Sequence, residues 1–140
     1  MRYRVTIILL LTLMLAGCAK KSTAPVPGTI NTFDAYAARS VGDAQAALIA
    51  GKTWELCSDQ GFPQTVTFDS NTYPCDKTAG PFPPAGRPYL FKAEQSYNIA
   101  LAAAQAYHSG ASSDTTGLTQ ALTALGIDIG NMLAGIGKGH

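Results

Sequence analysis

The sequence predicts a mainly α fold, an antiparallel three-helix bundle with a small disulfide-closed hairpin or loop cap between helices 1 and 2. Three observations predict it. Segments 32–56, 88–108 and 115–134 carry apolar residues at spacings of three and four, the repeat of a single helix face. Between the first two, residues 57–87 hold Pro63, Pro74, Pro81, Pro83 and Pro84 with Gly61, Gly80 and Gly86, which excludes a continuous helix. Cys57 and Cys75 bracket the first half of that segment, and with no other thiol nearby they have one intramolecular pairing.

The first helix opens at Asn31 or Thr32, either of which can cap free amides, and Asp34 falls in the first turn, where the helix dipole favours a carboxylate. Phe33, Tyr36, Ala37, Val41, Ala44, Ala47, Leu48 and Gly51 form its apolar stripe, and Trp54 and Leu56 then lie near the disulfide. Gly42 and Gly51 each weaken a helix by about 1 kcal/mol relative to alanine; close approach of a neighbouring helix and neutral tolerance explain them equally well. The second helix starts at Pro88, a good first-turn residue, and ends at Ser109-Gly110. Its expected inner side runs Leu90, Phe91, Glu94, Tyr97, Leu101, Ala104 and His108, broadened by Ala93, Ala100, Ala103 and Tyr107, with the terminal histidine meeting the last carbonyls. The third is capped by Asp114 or Thr115 and carries the cleanest heptad, Leu118, Leu122, Leu125, Ile129, Met132 and Ile136. Asp128 is expected on its solvated face, and the tail Gly135, Gly137, Gly139 and His140 is expected to fray. The short loop 109–114 makes helices 2 and 3 antiparallel neighbours.

Within the cap, Thr65-Val66-Thr67-Phe68 alternates as a strand does, Asp69-Ser70-Asn71 reads as a turn, and Thr72-Tyr73 can pair back. A two-stranded hairpin is marginal in water, so it needs the Cys57–Cys75 bridge or the helices behind it. A calcium loop over Asp69, Asn71, Tyr73 and Asp76 fails on its own pattern. Pro74 stands where the turn glycine belongs and Gly80 where a bidentate glutamate is required.

The N-terminus carries an address. Arg2 and Arg4 precede an apolar run from Val5 to Met14, interrupted only by Thr6 and Thr12, and Leu15-Ala16-Gly17-Cys18 follows. That order is a secretory signal peptide. Its ending resembles the lipobox of bacterial lipoprotein precursors at all four positions. The resemblance covers the N-terminal segment alone. It implies cleavage before Cys18, diacylglyceryl transfer to the Cys18 thiol, and stable anchoring by two or three acyl chains. The implied organisation is a signal peptide 1–17, a lipidated cysteine and flexible Pro/Gly-punctuated tether 18–30, and a helical domain 31–140. The apolar run is too short for the roughly twenty residues of a membrane span. Ala19 and Lys20 in place of an aspartate after the anchor imply the outer membrane facing the periplasm, if the source is Gram-negative. Export also places Cys57 and Cys75 where a pair can oxidise.

Composition narrows the function. The precursor has net charge +1; without Arg2 and Arg4 it is close to −1, and without Lys20 and Lys21 the domain is near −3. No basic patch remains to track phosphates, so nucleic acid is not an expected partner. No nucleophile elbow, phosphate loop or metal-ligand cluster is present in the sequence pattern, so no enzyme, cofactor or metal is expected. The aromatic residues Trp54, Phe62, Phe68, Tyr73 and Phe82 gather in and beside the cap. They form either a local core, the favoured reading, or a binding surface for protein or glycan. The expected function is a non-enzymatic, lipid-anchored envelope module that binds another envelope component. The alternative is a membrane-active or phage-related lipoprotein acting through 115–137, where Gly126 and Gly130 stand four apart. A carrier with a pocket lined by Tyr36, Tyr97 and Tyr107 ranks below both. The sequence does not specify oligomeric state.

Overall fold

A computed structural model describes residues 30–137. The signal peptide, Cys18, the tether and the last three residues lie outside the described residues. The chain is mainly helical. Its elements run α1 (Ile30–Asp59), β1 (Thr65–Phe68), β2 (Asn71–Pro74), 3-10 turns at Lys77–Ala79 and Pro84–Gly86, α2 (Arg87–His108) and α3 (Thr115–Gly137).

The helix ends follow from local chemistry. α1 outruns the expected 32–56 at both ends. Its stop signal is Gly61, not the cysteine. Gly61 adopts φ 71°, its N–H reaches the Ser58 carbonyl at 3.2 Å, and the Phe62 N–H reaches the Cys57 carbonyl at 2.7 Å. That pair of bonds is a Schellman cap, which glycine forms without strain. Cys57 is therefore helical, and the cap region shrinks from 57–87 to 60–86. At the start, α1 already includes Ile30, so Asn31 and Thr32 are helical residues and Asp34 falls beyond the first turn. α2 ends on Gly110 at φ 75°, whose N–H meets the Tyr107 carbonyl at 3.1 Å. Asp114 caps α3, accepting from the Gly117 N–H at 2.8 Å. α3 continues to Gly137 instead of stopping near 134. Ile136 is buried, and the Tyr89 ring lies over Gly135, so close that a Cβ there would sit 2.7 Å from the ring.

The helices pack through two apolar clusters. One joins Ala37, Val41 and Ala44 of α1 to Ala100 of α2 and Leu118, Leu122 and Leu125 of α3. The other joins Leu48 to Phe82, Leu90, Ala93, Met132 and Ile136. α2 and α3 make the most extensive contact, and α1 lies more against α2 than against α3. The inner side of α2 follows the broadened stripe except at Phe91. Leu90, Ala93 and Ala100 are buried, whereas Phe91 is exposed. Alanine at the true contact face leaves a weak periodic signal, and bulkier Phe91 obscures it. Tyr36 likewise stands in solvent, so it does not line a pocket with Tyr97 and Tyr107.

The two α1 glycines have different roles. A Cβ on Gly51 would meet Leu90 Cδ1 at 3.2 Å and Met132 Sδ at 3.5 Å, so its absence lets all three helices converge. A Cβ on Gly42 would meet nothing within 4 Å.

Two polar contacts were not legible in the sequence. His108 Nδ1 lies 2.5 Å from Asp34 Oδ2, tying the end of α2 to the start of α1. Asp128 is buried at 5 % exposure, contrary to the expected solvated face. It sits at the α2–α3 seam, where the Ser96 hydroxyl donates to it and Lys92 Nζ approaches at 3.2 Å from a solvent-exposed side chain. The Ser96 bond, with Lys92 beside it, holds the Asp128 carboxyl below its ordinary value against the opposing effect of burial.

Two predictions follow from this packing. Gly42→Ala should raise stability by about 0.5–1 kcal/mol, the helix-propensity gain at an open site. Gly51→Leu should lower it by about 1–3 kcal/mol through overpacking. Urea unfolding of the pair decides the assignment, and equal effects would refute it. Asp128→Asn should lower stability by about 1 kcal/mol near neutral pH. A carboxyl lowered in the folded state stabilises above its unfolded value and loses that contribution as pH falls through the folded value. The gap between wild type and Asp128→Asn should therefore narrow below about pH 4. A gap that stays constant in unfolding curves down to about pH 2 contradicts the assignment.

Candidate functional site

The hairpin folds back against α1. Its strands are antiparallel, with Thr65 opposite Pro74, Val66 opposite Tyr73, Thr67 opposite Thr72 and Phe68 opposite Asn71. Alternation therefore puts Val66, Phe68, Asn71 and Tyr73 on one face and the threonines on the other. Val66 is buried, so the first face is the inner one, and Thr67 and Thr72 pair their hydroxyls at 3.2 Å outside. The loop is two residues, Asp69 and Ser70, at φ 48° and 61°. Both positive angles match the twist of a tight hairpin. Asn71 belongs to β2, and its side-chain amide donates to the Asp69 carbonyl at 2.9 Å.

Two attachments fix the hairpin and the segment after it. The Cys57–Cys75 disulfide joins α1 to the residue following β2, across a sequence separation of 18. Further on, Trp54 Nε1 donates to the Gly80 carbonyl at 2.8 Å, and the Phe82 N–H donates to Ser58 Oγ at 2.8 Å. The rings of Trp54 and Phe82 meet edge to face at 5.2 Å.

The expected aromatic group thus divides. Phe82 is 3 % exposed and belongs to the core, which removes it as a contact residue for a partner. Trp54 is half-buried against it, and Phe62 is half-buried at the α1 stop. Phe68 and Tyr73 form a separate stacked pair, with centroids 4.5 Å apart and planes at 25°. They lie on the inner hairpin face and border open space.

That space forms two clefts. The smaller, about 290 Å³, runs along α1 between Ile49, Thr53, Trp54 and Cys57 on one side and Tyr73, Pro74 and Asp76 on the other. The larger, about 430 Å³, is enclosed by Gln45, Leu48, Ile49 and Lys52 of α1, by Phe68, Asp69, Asn71 and Tyr73 of the hairpin, and by Glu94, Tyr97 and Asn98 of α2. Ile49 and Tyr73 border both. Each cleft has one buried acceptor that makes no hydrogen bond among the described residues: Thr53 Oγ1 in the smaller and Gln45 Oε1 in the larger.

Lys52, the cation lining the larger cleft, is paired with carboxylates. Lys52 Nζ is 2.9 Å from Glu55 and 3.8 Å from Glu94. The bond to Glu55 raises the Lys52 pKa above its usual value, against the effect of burial. Arg87 reaches Glu55 at 3.1 Å and also binds Asp59, whose carboxyl it lowers, so the end of α1 is clamped to the start of α2. Burial, assisted by Asp69, raises the Tyr73 pKa, and burial raises that of Tyr97; both phenols remain protonated at neutral pH. Asp76 caps the Lys77–Ala79 turn through the Thr78 N–H at 2.8 Å and the Thr78 hydroxyl. Among the described residues no group of three His, Cys, Asp or Glu side chains is placed to hold a metal ion.

Gln45, Lys52, Glu94 and Asn98 were not read as site residues, and Tyr97 was read only into a carrier pocket with Tyr36 and Tyr107. Their signal is weak but present: 45 and 52, like 94, 97 and 98, recur at helical spacing beside the apolar stripes. What the sequence lacks is any sign that the hairpin would lie over that strip. The chain matches no protein-family model, no curated protein and no solved structure.

A Cys57→Ala/Cys75→Ala variant should lose about 3 kcal/mol of stability. Amide exchange should accelerate first across the hairpin. Unchanged exchange there would mean that Val66 burial alone holds it.

Proposed function

We propose that this chain is a non-enzymatic, lipid-anchored protein of a bacterial cell envelope that binds another envelope component through the hairpin side of its helical domain. One observation carries the reading: Leu15-Ala16-Gly17-Cys18 stands at the end of an apolar run preceded by Arg2 and Arg4. The disulfide supports it, because such bridges persist in exported proteins. Among the described residues no helix is long and apolar enough to cross a membrane, so attachment would fall to the lipid. In this reading the three helices form an antiparallel bundle. The outer membrane facing the periplasm is the proposed site if the source is Gram-negative.

A specific observation favours a second reading, in which α3 acts on membranes or on copies of itself. Its only charged residue, Asp128, is buried and paired, so the exposed surface of α3 is uncharged. Ile127 and Leu133 are exposed there, and Gly126 and Gly130 have open space where a Cβ would stand.

One experiment separates the two. The full chain is expressed in bacterial cells with a photo-crosslinker at Asn71 or at Ile127, and its mature mass is measured. The proposal expects a chain beginning at Cys18 with diacylglyceryl added, and a recurrent partner at Asn71. Cys18→Ser should abolish the added mass and move the protein out of the membrane fraction. An unmodified Cys18 refutes the anchor. Crosslinks at Ile127 alone, to lipid or to a second copy, replace the first reading with the second.

A further inference from the structure

We infer that the larger cleft binds a neutral, hydroxyl-rich sugar ring. The inference rests on the binding role proposed above and names the chemistry of its partner. The first observation is the Phe68–Tyr73 stack, which presents aromatic surface to a cleft of about 430 Å³. That volume lies within the roughly 300–1,000 Å³ of small-molecule sites. The apolar C–H face of a sugar ring packs on such a surface, while its hydroxyls remain free to bond sideways.

The second observation is the polar rim. Gln45 and Asn98 offer amides, and Glu94 offers a carboxylate. Hydroxyls, which donate and accept together, suit that mixture. Gln45 Oε1 itself lies sealed in the cleft wall, without a hydrogen bond among the described residues, so the exposed Asn98 amide is the group that can meet a ligand hydroxyl.

Charge excludes the competing chemistries. The one cation lining the cleft, Lys52, is already held by Glu55 and Glu94, so no free positive charge awaits a phosphate or carboxylate. A wholly apolar ligand would take the exposed Asn98 amide out of water and offer it no hydrogen bond. An uncharged ring with one apolar face and several hydroxyls meets both limits.

The test is calorimetric titration of the purified full chain with N,N′-diacetylchitobiose, cellobiose and maltose. At least one should bind saturably at millimolar concentration or below. Tyr73→Ala should weaken that binding by about tenfold or more, whereas Tyr73→Phe, which keeps the ring, should stay within about threefold. Asn98→Leu, at an exposed residue of the rim, should weaken binding by about threefold or more while its Tm holds. That pairing separates a binding role from a structural one even if Tyr73→Ala fails to fold. No saturable binding by any of the three sugars overturns the inference, as does binding unchanged in Asn98→Leu. Saturable binding of a trialanine peptide in place of the sugars also overturns it. A lipidated Cys18 with a protein crosslinked at Asn71, and no sugar binding, leaves the envelope reading standing and removes only this one.

Discussion

The Cys57–Cys75 bond is the constraint on which the open side of the molecule depends. A two-stranded hairpin contributes too little cross-strand contact to persist alone. Here it has one buried residue on the helices, Val66, and a two-residue loop with two positive-φ side chains. Tied to α1 by a covalent bond, the hairpin loses little further entropy on docking. Its docking creates both clefts, since Tyr73 lines each of them opposite Ile49 of α1. The same bond explains why Cys57 had to be helical. A cysteine on the last regular turn of α1 has a fixed direction, and the Schellman cap at Gly61 sends the chain back along the helix it has just left.

The helical body is held in a different way. Its contact faces are rich in alanine, with Gly51 among them, so the helices come close. Gly51 shows this most directly, with leucine, methionine and isoleucine atoms of two other helices gathered around its missing Cβ. Charge then works at the edges. The Arg87–Glu55–Asp59 group closes one end of the α1–α2 pair and His108–Asp34 the other. Asp128 sits on the α2–α3 seam with Ser96 and Lys92. Where both partners are exposed, as in Arg87–Asp59, such a pair adds little stability. The geometric effect of these groups is larger, because each joins residues far apart in sequence and fixes how one helix slides along another.

Most of the helical organisation was legible because α3 writes its heptad in leucine, isoleucine and methionine, and because proline and glycine punctuate 60–86. The errors have physical causes. Alanine contributes so little apolar contrast that exposed Phe91 was placed on the inner face of α2 beside Leu90, Ala93 and Ala100. Asp128 was put on the outer face because a carboxylate between two isoleucines, with no partner within one helical turn, usually faces water; its partners are 32 residues or more away on α2. The cleft was less legible still. The aromatic cluster pointed to the right region, but composition cannot tell Phe82, which is core, from Phe68, which is not. Long-range docking of the hairpin decides that difference, and no local pattern encodes it.

The site and the proposed anchor bear on one another through distance and concentration. Gln45 lies fifteen residues into α1, about 22 Å along a helix. The eleven residues between Cys18 and Ile30 extend at most about 40 Å. On the proposed anchoring the cleft would sweep a shell within roughly 60 Å of the bilayer. A shallow, half-open site built from two rings and a few amides is suited to weak binding, because it covers only part of a ligand. Confinement to that shell offsets weakness, since a tethered site meets a tethered ligand at a high effective concentration. A deep, tight pocket would be needed by a protein that searches in solution. For one held beside its ligand, a cleft with one aromatic wall and a polar rim is enough.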